Sequence, residues 1–309
     1  MTTLLYTHPI CIEHDPGRGH PECPDRLRAV MQGFEDDDFK ALDRHEAPVA
    51  DLKEIEQVHE PYYIERIFEN MPKEGRVYLD PDTGISPASG EASRRAAGAV
   101  CDAVDLVIKG KGKNAFCAVR PPGHHAESSR AMGFCLFNSV AVGALHGRAR
   151  HGLDRVAVVD FDVHHGNGTQ HMFEHDEGLF YASSHQWPAY PGTGLASETG
   201  EFNNIRNLQM APGEGTAAFR EGYREKILPA LRAFDPDLLL ISAGFDAHDR
   251  DPLAQISLQT EDYAWVTGEL LAVAGECCDG KVVSLLEGGY NLQALTESVQ
   301  THVRVLMAD

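Results

Sequence analysis

The stretch Arg155–Gly168, RVAVVDFDVHHGNG, brings Asp160, Asp162, His164 and His165 together within six residues. Carboxylates and imidazoles so close in the chain can share one divalent cation, and imidazole can also exchange protons near neutral pH. Extended backbone would set Asp160, Asp162 and His164 on one side, the geometry that lets them converge. The alternative is a polar strand end lying in water. Against it stands the apolar run Val156–Val159 directly before the cluster, because desolvating two acids and two histidines is costly without a metal or hydrogen-bond partners.

That run is the first clue to what positions the cluster. Its β-branched composition is that of a strand buried on both faces in a parallel sheet, and the Gly166-Asn167-Gly168 turn lets the chain leave sharply. Similar runs occur at 3–6, 115–119, 179–183, 238–242 and 282–286. Helical patterns lie at 25–35, 50–57, 61–70, 89–109, 136–150, 216–234 and 260–277, with Ser89 as a candidate cap for the fourth. Alternation of this kind predicts an α/β fold, a largely parallel sheet with helices on both faces, whose site lies beyond the carboxyl ends of its strands. Asp80–Gly90 reads as a loop too short to divide the chain, so residues 1–309 are expected to form a single domain.

Three further strand exits carry chemistry. RPPGHHA follows residues 115–119, and its Gly123 permits a turn that aims His124 and His125 the same way. SAGFDAHDRDPL follows the run at 238–242, and Asp246 could supply a second carboxylate to a metal or simply cap a helix. EGGY ends the run at 282–286, and two glycines before Tyr290 would let its phenol swing and donate to a developing oxyanion.

Composition narrows the function classes. With 27 basic and 47 acidic residues the net charge is −20, which disfavours direct nucleic-acid binding and welcomes a cationic peptide or polyamine. Seven cysteines without finger or CxxC spacing fit reduced thiols, and the N-terminus lacks a secretory pattern. With no long apolar run to span a membrane, a cytoplasmic location is expected.

RPPGHHA, GFCLFNSVAVGA (133–144), VDFDVHHGNGTQ (159–170), SAGFDAHDRDPL and LEGGY together resemble the zinc-dependent histone deacetylase family, its class II branch and bacterial deacetylase-like amidohydrolases in particular. With HPECPDR near the N-terminus, the motifs keep the family's order over nearly the whole chain. The resemblance implies the arginase/deacetylase fold and one Zn2+ held by Asp162, His164 and Asp246, with positions left open for water and a carbonyl. It further implies His125 as general base and then acid, His124 as a deeper electrostatic partner oriented by Asp160, and Tyr290 as oxyanion donor. Asn167 stands where class I members have aspartate, so it would orient His125 without stabilising its charge.

By the same resemblance Gly133 and Phe134 form one wall of an acyl-lysine channel, with Gly288 and Gly289 beside the substrate. The facing wall should come from HQWPAYPGTG, from Tyr190 or alternatively Trp187. Leu253 occupies the gatekeeper position where polyamine-specific relatives carry glutamate. A structural K+ is implied near Asp160 and Ser183, while His8, His14 and His20 are expected to shape the entrance or the surface. The expected reaction is hydrolysis of an acetylated lysine peptide or an acetylated small amine. An arginase-like dimanganese hydrolase and a non-catalytic acyl-binding protein are the alternatives; His125, Tyr290 and RPPGHHA argue against both.

Overall fold

The computed structural model describes residues 2–308. Ten strands run in chain order as β1 (Thr3–Thr7), β2 (Asp43–Glu46), β3 (Val77–Asp80), β4 (Thr83–Ile85), β5 (Asn114–Cys117), β6 (Val156–Asp160), β7 (Leu179–Gln186), β8 (Ile205–Met210), β9 (Leu238–Ala243) and β10 (Val282–Leu286). Eight of them make one sheet in the order β2-β1-β5-β10-β9-β6-β7-β8, every neighbouring pair parallel. β3 and β4 form a separate antiparallel hairpin.

This order explains why four motifs distant in sequence share one place. The strands that precede RPPGHHA, SAGFD, DFDVHH and EGGY are β5, β9, β6 and β10, the four contiguous strands β5-β10-β9-β6 at the centre of the sheet. Because they are parallel, their carboxyl ends open on the same rim.

Every residue of those four strands is buried, as a sheet covered on both faces requires. Helix Ser89–Ile108 packs on helix Ser139–His151, and both contact the sheet. Helix Thr260–Cys277 packs on Leu292–Ala308, which also lies against Pro24–Gly33. His302 ties this second layer to the sheet, its ring nitrogens meeting Ser284 Oγ at 2.9 Å and Thr267 Oγ1 at 2.6 Å.

Several expectations need correction. Strand β2, sequence DRHE, has no apolar alternation because it is an exposed edge, where polar side chains discourage further pairing. Strand β8, the β3–β4 hairpin and helix Leu292–Ala308 add to the elements expected from the sequence. Ser89 does not cap its helix: it is the first helical residue, and its hydroxyl instead meets the Ser86 N–H and His14 Nδ1. The helix expected over 216–234 is interrupted by a π-helical turn at Tyr223–Ile227. Among the described residues no helix is long and apolar enough to cross a membrane.

Candidate active site

Asp162, His164 and Asp246 each present one ligand atom, all within 4.8 Å of one another. His164 Nδ1 lies 3.1 Å from Asp162 Oδ1 and 3.0 Å from Asp246 Oδ2. Extended alternation is not what brings them together, because β6 ends at Asp160. Beyond it the chain bends, and carboxylates brace the bend: Asp162 N–H donates to Asp160 Oδ1, His164 N–H to Asp162 Oδ1 and Val163 N–H to Asp246 Oδ1. Asp246 is therefore a buried partner of the DFDVHH bend and not a helix cap.

The donor set fits a divalent cation. Asp160, Asp162, Asp246 and Glu287 are all essentially without solvent contact. Burial, followed by repulsion from Asp162, pushes Asp246 above the usual carboxylate range, so without a cation the pair resists full ionisation. Two carboxylates and an imidazole nitrogen facing one point form an oxygen and nitrogen set suited to Zn2+.

His124 and His125 lie 4.0 Å apart between ring centroids, tilted by 43°, yet are driven in opposite directions. Burial opposes charge on His124, but Asp160 and Asp162 outweigh it and raise the group to about 10. Its Nδ1 is 2.9 Å from Asp160 Oδ2. Burial, then the neighbouring His124 and His164, push His125 well below the ordinary imidazole range. Side-by-side groups separated in this way divide the work: His124 holds charge while His125 can accept a proton.

Asn167 fixes which nitrogen of His125 does so. Its Nδ2 donates to a Glu127 oxygen, which can only accept, so its Oδ1 must face His125 Nδ1, at 2.8 Å. A neutral His125 then carries its proton on Nδ1 and leaves Nε2 basic. Glu127, which stands outside every motif of the sequence, also meets His171 Nδ1 at 2.8 Å. Asn167→Asp is expected to add negative charge at Nδ1 and raise the His125 pKa. The acid limb of kcat/KM, where the base becomes protonated, should then move to higher pH. An unmoved profile would reduce Asn167 to a turn residue.

The channel above this floor has a volume of about 200 Å3 and is lined by Asp82, His125, Gly133, Phe134, His164, Tyr190, Leu253 and Tyr290. Gly133 and Phe134 both have positive φ, 56° and 69°. A Cβ on Gly133 would lie 2.4 Å from the His125 ring, so the turn that aims Phe134 also needs a glycine. His20 packs edge-on against Phe134 with ring centroids 4.6 Å apart, giving that histidine a place behind the entrance. Tyr190 sets its ring edge-on to His125 at 5.2 Å, whereas Trp187 is not among the lining residues. Asp82, on the hairpin connection within the stretch expected to be a functional or connecting loop, accepts the Gly133 N–H and so carries a carboxylate to the channel.

Gly288 and Gly289 lie behind the channel and do not line it. Gly288 N–H donates to Asp162 Oδ2 at 2.8 Å, and a Cβ there would strike the Asp246 and Asp162 carboxylates. Nor does the segment behave as a loose hinge. The Arg26 guanidinium bonds the carbonyls of Glu287 and Gly289 and lies 4.9 Å from the centre of the Tyr290 ring. Asp251 Oδ2 accepts the Tyr290 N–H at 2.7 Å, while its Oδ1 accepts the Leu253 N–H at 3.0 Å. Glu287 faces the other way, taking the Gly123 N–H at 2.7 Å and so fixing the turn before His124. Ser183 lies opposite Asp160 in the β6–β7 register, its hydroxyl 2.8 Å from His185 Nδ1.

Residues 20–306 match the family model described as Histone deacetylase domain. The chain is 37% identical to the histone deacetylase-like amidohydrolase of Pseudomonas aeruginosa over 88% of this chain and 73% of that one. It is 35% identical to the polyamine deacetylase HDAC10 of Mus musculus, over 100% of this chain and 47% of the relative. The crystal structure of the HDA15 HD domain superposes with a TM-score of 0.94 at 34% identity, covering 100% of this chain and 89% of that one.

Proposed function

The chain belongs to the histone deacetylase family, an arginase/deacetylase fold carrying deacetylase and amidohydrolase chemistry, and from that premise we propose a zinc-dependent hydrolase of N-acetyl-lysine amides. The observation that carries the reading is the convergence of Asp162, His164 and Asp246 beneath a channel bounded by His125 and Tyr290. Those three residues would hold a zinc ion, which would supply Lewis acidity toward the amide carbonyl and the attacking water. The rest is the work of side chains. His125 Nε2 takes the water proton and returns it to the departing amine, while Asn167 keeps the ring in register. His124, held charged by Asp160, lends a positive field without exchanging the proton. Tyr290 donates its phenolic hydrogen to the oxyanion. Acetate and a free amine result.

Phe134 and Tyr190 supply aromatic walls suited to an alkyl stem, and apolar Leu253 at the mouth offers no partner to a second ammonium. These features support a lysine side chain as substrate. An acetylated polyamine is the second reading, favoured by the −20 charge and by the Asp82 carboxylate on the channel. The facing register of Asp160 and Ser183 also supports the structural potassium of the family reading.

The test is hydrolysis, side by side, of an acetyl-lysine peptide and an N-acetylpolyamine by the zinc-loaded enzyme. The peptide is expected to have the higher kcat/KM; preference for the polyamine would keep the chemistry and overturn the substrate. Leu253→Glu should shift the ratio toward the polyamine a few-fold, matching the roughly 0.2–1 kcal/mol of an exposed ion pair.

A further inference from the structure

Helices Leu52–Ile55, Ser89–Ile108 and Ser139–His151 enclose a second cluster that shares no residue with the acyl channel. It borders a cavity of about 230 Å3 whose lining includes Glu54, Cys101, Asp102, Asp105, His146 and Arg150. Glu54, Cys101 and His146 each offer one ligand atom, all within 4.8 Å of one another. Cys101 and His146 are buried, and Glu54 is partly so.

The hydrogen bonding around His146 is what points to a cation. Its Nε2 lies 2.8 Å from Asp105 Oδ1, and its Nδ1 lies 3.1 Å from Glu54 Oε1. A neutral imidazole has one proton. Given to Asp105 from Nε2, it leaves a lone pair on Nδ1 aimed at an oxygen that also only accepts, a repulsive contact that a cation bound by both relieves. Their separation is close to the roughly 3.3 Å expected of nitrogen and oxygen ligands about 2.0–2.1 Å from one tetrahedral ion. Cys101, otherwise a core-packing side chain, adds the Sγ atom that would give such a cation a soft third donor. Asp105 is moreover already supplied by Lys109 Nζ, Arg150 Nε and His151 Nε2.

Glu54 is preset as well. Its Oε2 accepts the Asp51 N–H in a capping box, and Oε1 is left facing His146. Asp105, His146 and His151 form the competing triad, but the two cations bonded to Asp105 oppose a metal there.

We propose that Glu54, Cys101 and His146 form a second metal site, for a borderline-soft divalent cation of the Zn2+ class, with Asp105 orienting His146 and the cavity leaving room for a water ligand. On binding, the Cys101 thiol loses its proton to solvent and a metal–sulfur bond replaces the S–H bond. Burial, followed by the Glu54 and Asp105 carboxylates, disfavours the bare thiolate; the same negative field favours a cation. The ion would staple three helices that otherwise meet through side-chain packing and hydrogen bonds.

Cobalt(II) titration of the whole protein separates this site from the catalytic one, because Asp162, His164 and Asp246 offer no sulfur. The expected result is two metal equivalents per chain and a thiolate-to-cobalt charge-transfer band. Cys101→Ser should lose the band and one equivalent yet keep deacetylase activity. His146→Gln should lose the band with the thiol still present, while Asp246→Asn should lose the other equivalent and keep the band. A folded wild-type protein with a single equivalent and no band, or a band that survives Cys101→Ser, would overturn the assignment.

Discussion

Replacing His125 by alanine is expected to lower kcat by about 10²–10⁴-fold, the usual contribution of a positioned general base, with KM changed much less. The expectation follows from the contrast between adjacent rings. His124 is also a histidine in the same turn, yet Asp160 holds it charged at about 10, so it cannot replace its neighbour as proton acceptor near neutral pH. His125 is kept neutral by burial and by the positive field of His124, with its free nitrogen directed away from Asn167. Metal content should be unchanged in His125→Ala, because His125 belongs to no ligand set. A variant that keeps wild-type kcat with full metal content would transfer the role to another group.

Tyr290→Phe is expected to lower kcat by about 10²–10³-fold, or about 2.7–4 kcal/mol, as for loss of one oxyanion donor. The substitution removes only the hydroxyl. The ring contact with Arg26 and the backbone bond to Asp251 do not depend on it, so the loop and the channel wall should persist. Burial raises the phenol well above its ordinary range, which keeps it protonated and able to donate. A loss expressed in KM alone, with kcat intact, would make Tyr290 a binding wall and not a donor.

The central strands were legible because a strand buried on both faces must be largely apolar, as Val156–Val159 and, apart from Ser284, the run at 282–286 are. The candidate ligands that follow them were legible because acids and histidines directly after such a run need partners. Edge strand β2 was not, since its DRHE sequence follows solubility more than pairing. Contributions that act through the backbone also left little trace. Glu287 steers the His124 turn by accepting an N–H, Asp251 pins Tyr290 and Leu253 from one carboxylate, and Arg26 grips two carbonyls of the EGGY segment. In each case the partner's identity does not enter the bond, so residue types and spacing cannot reveal it. Glu127 was hidden for another reason: its link to His125 runs through Asn167, 40 residues away in the chain.

Acetate release from an acetyl-lysine peptide, followed as metal-stripped protein is titrated with zinc, tests the central claim most directly. Turnover is expected to be absent from the stripped protein, to rise as the Asp162, His164 and Asp246 site fills, and to stay absent from Asp246→Asn at every zinc concentration. Turnover by the stripped protein at the loaded rate, or undiminished turnover by Asp246→Asn, would contradict it.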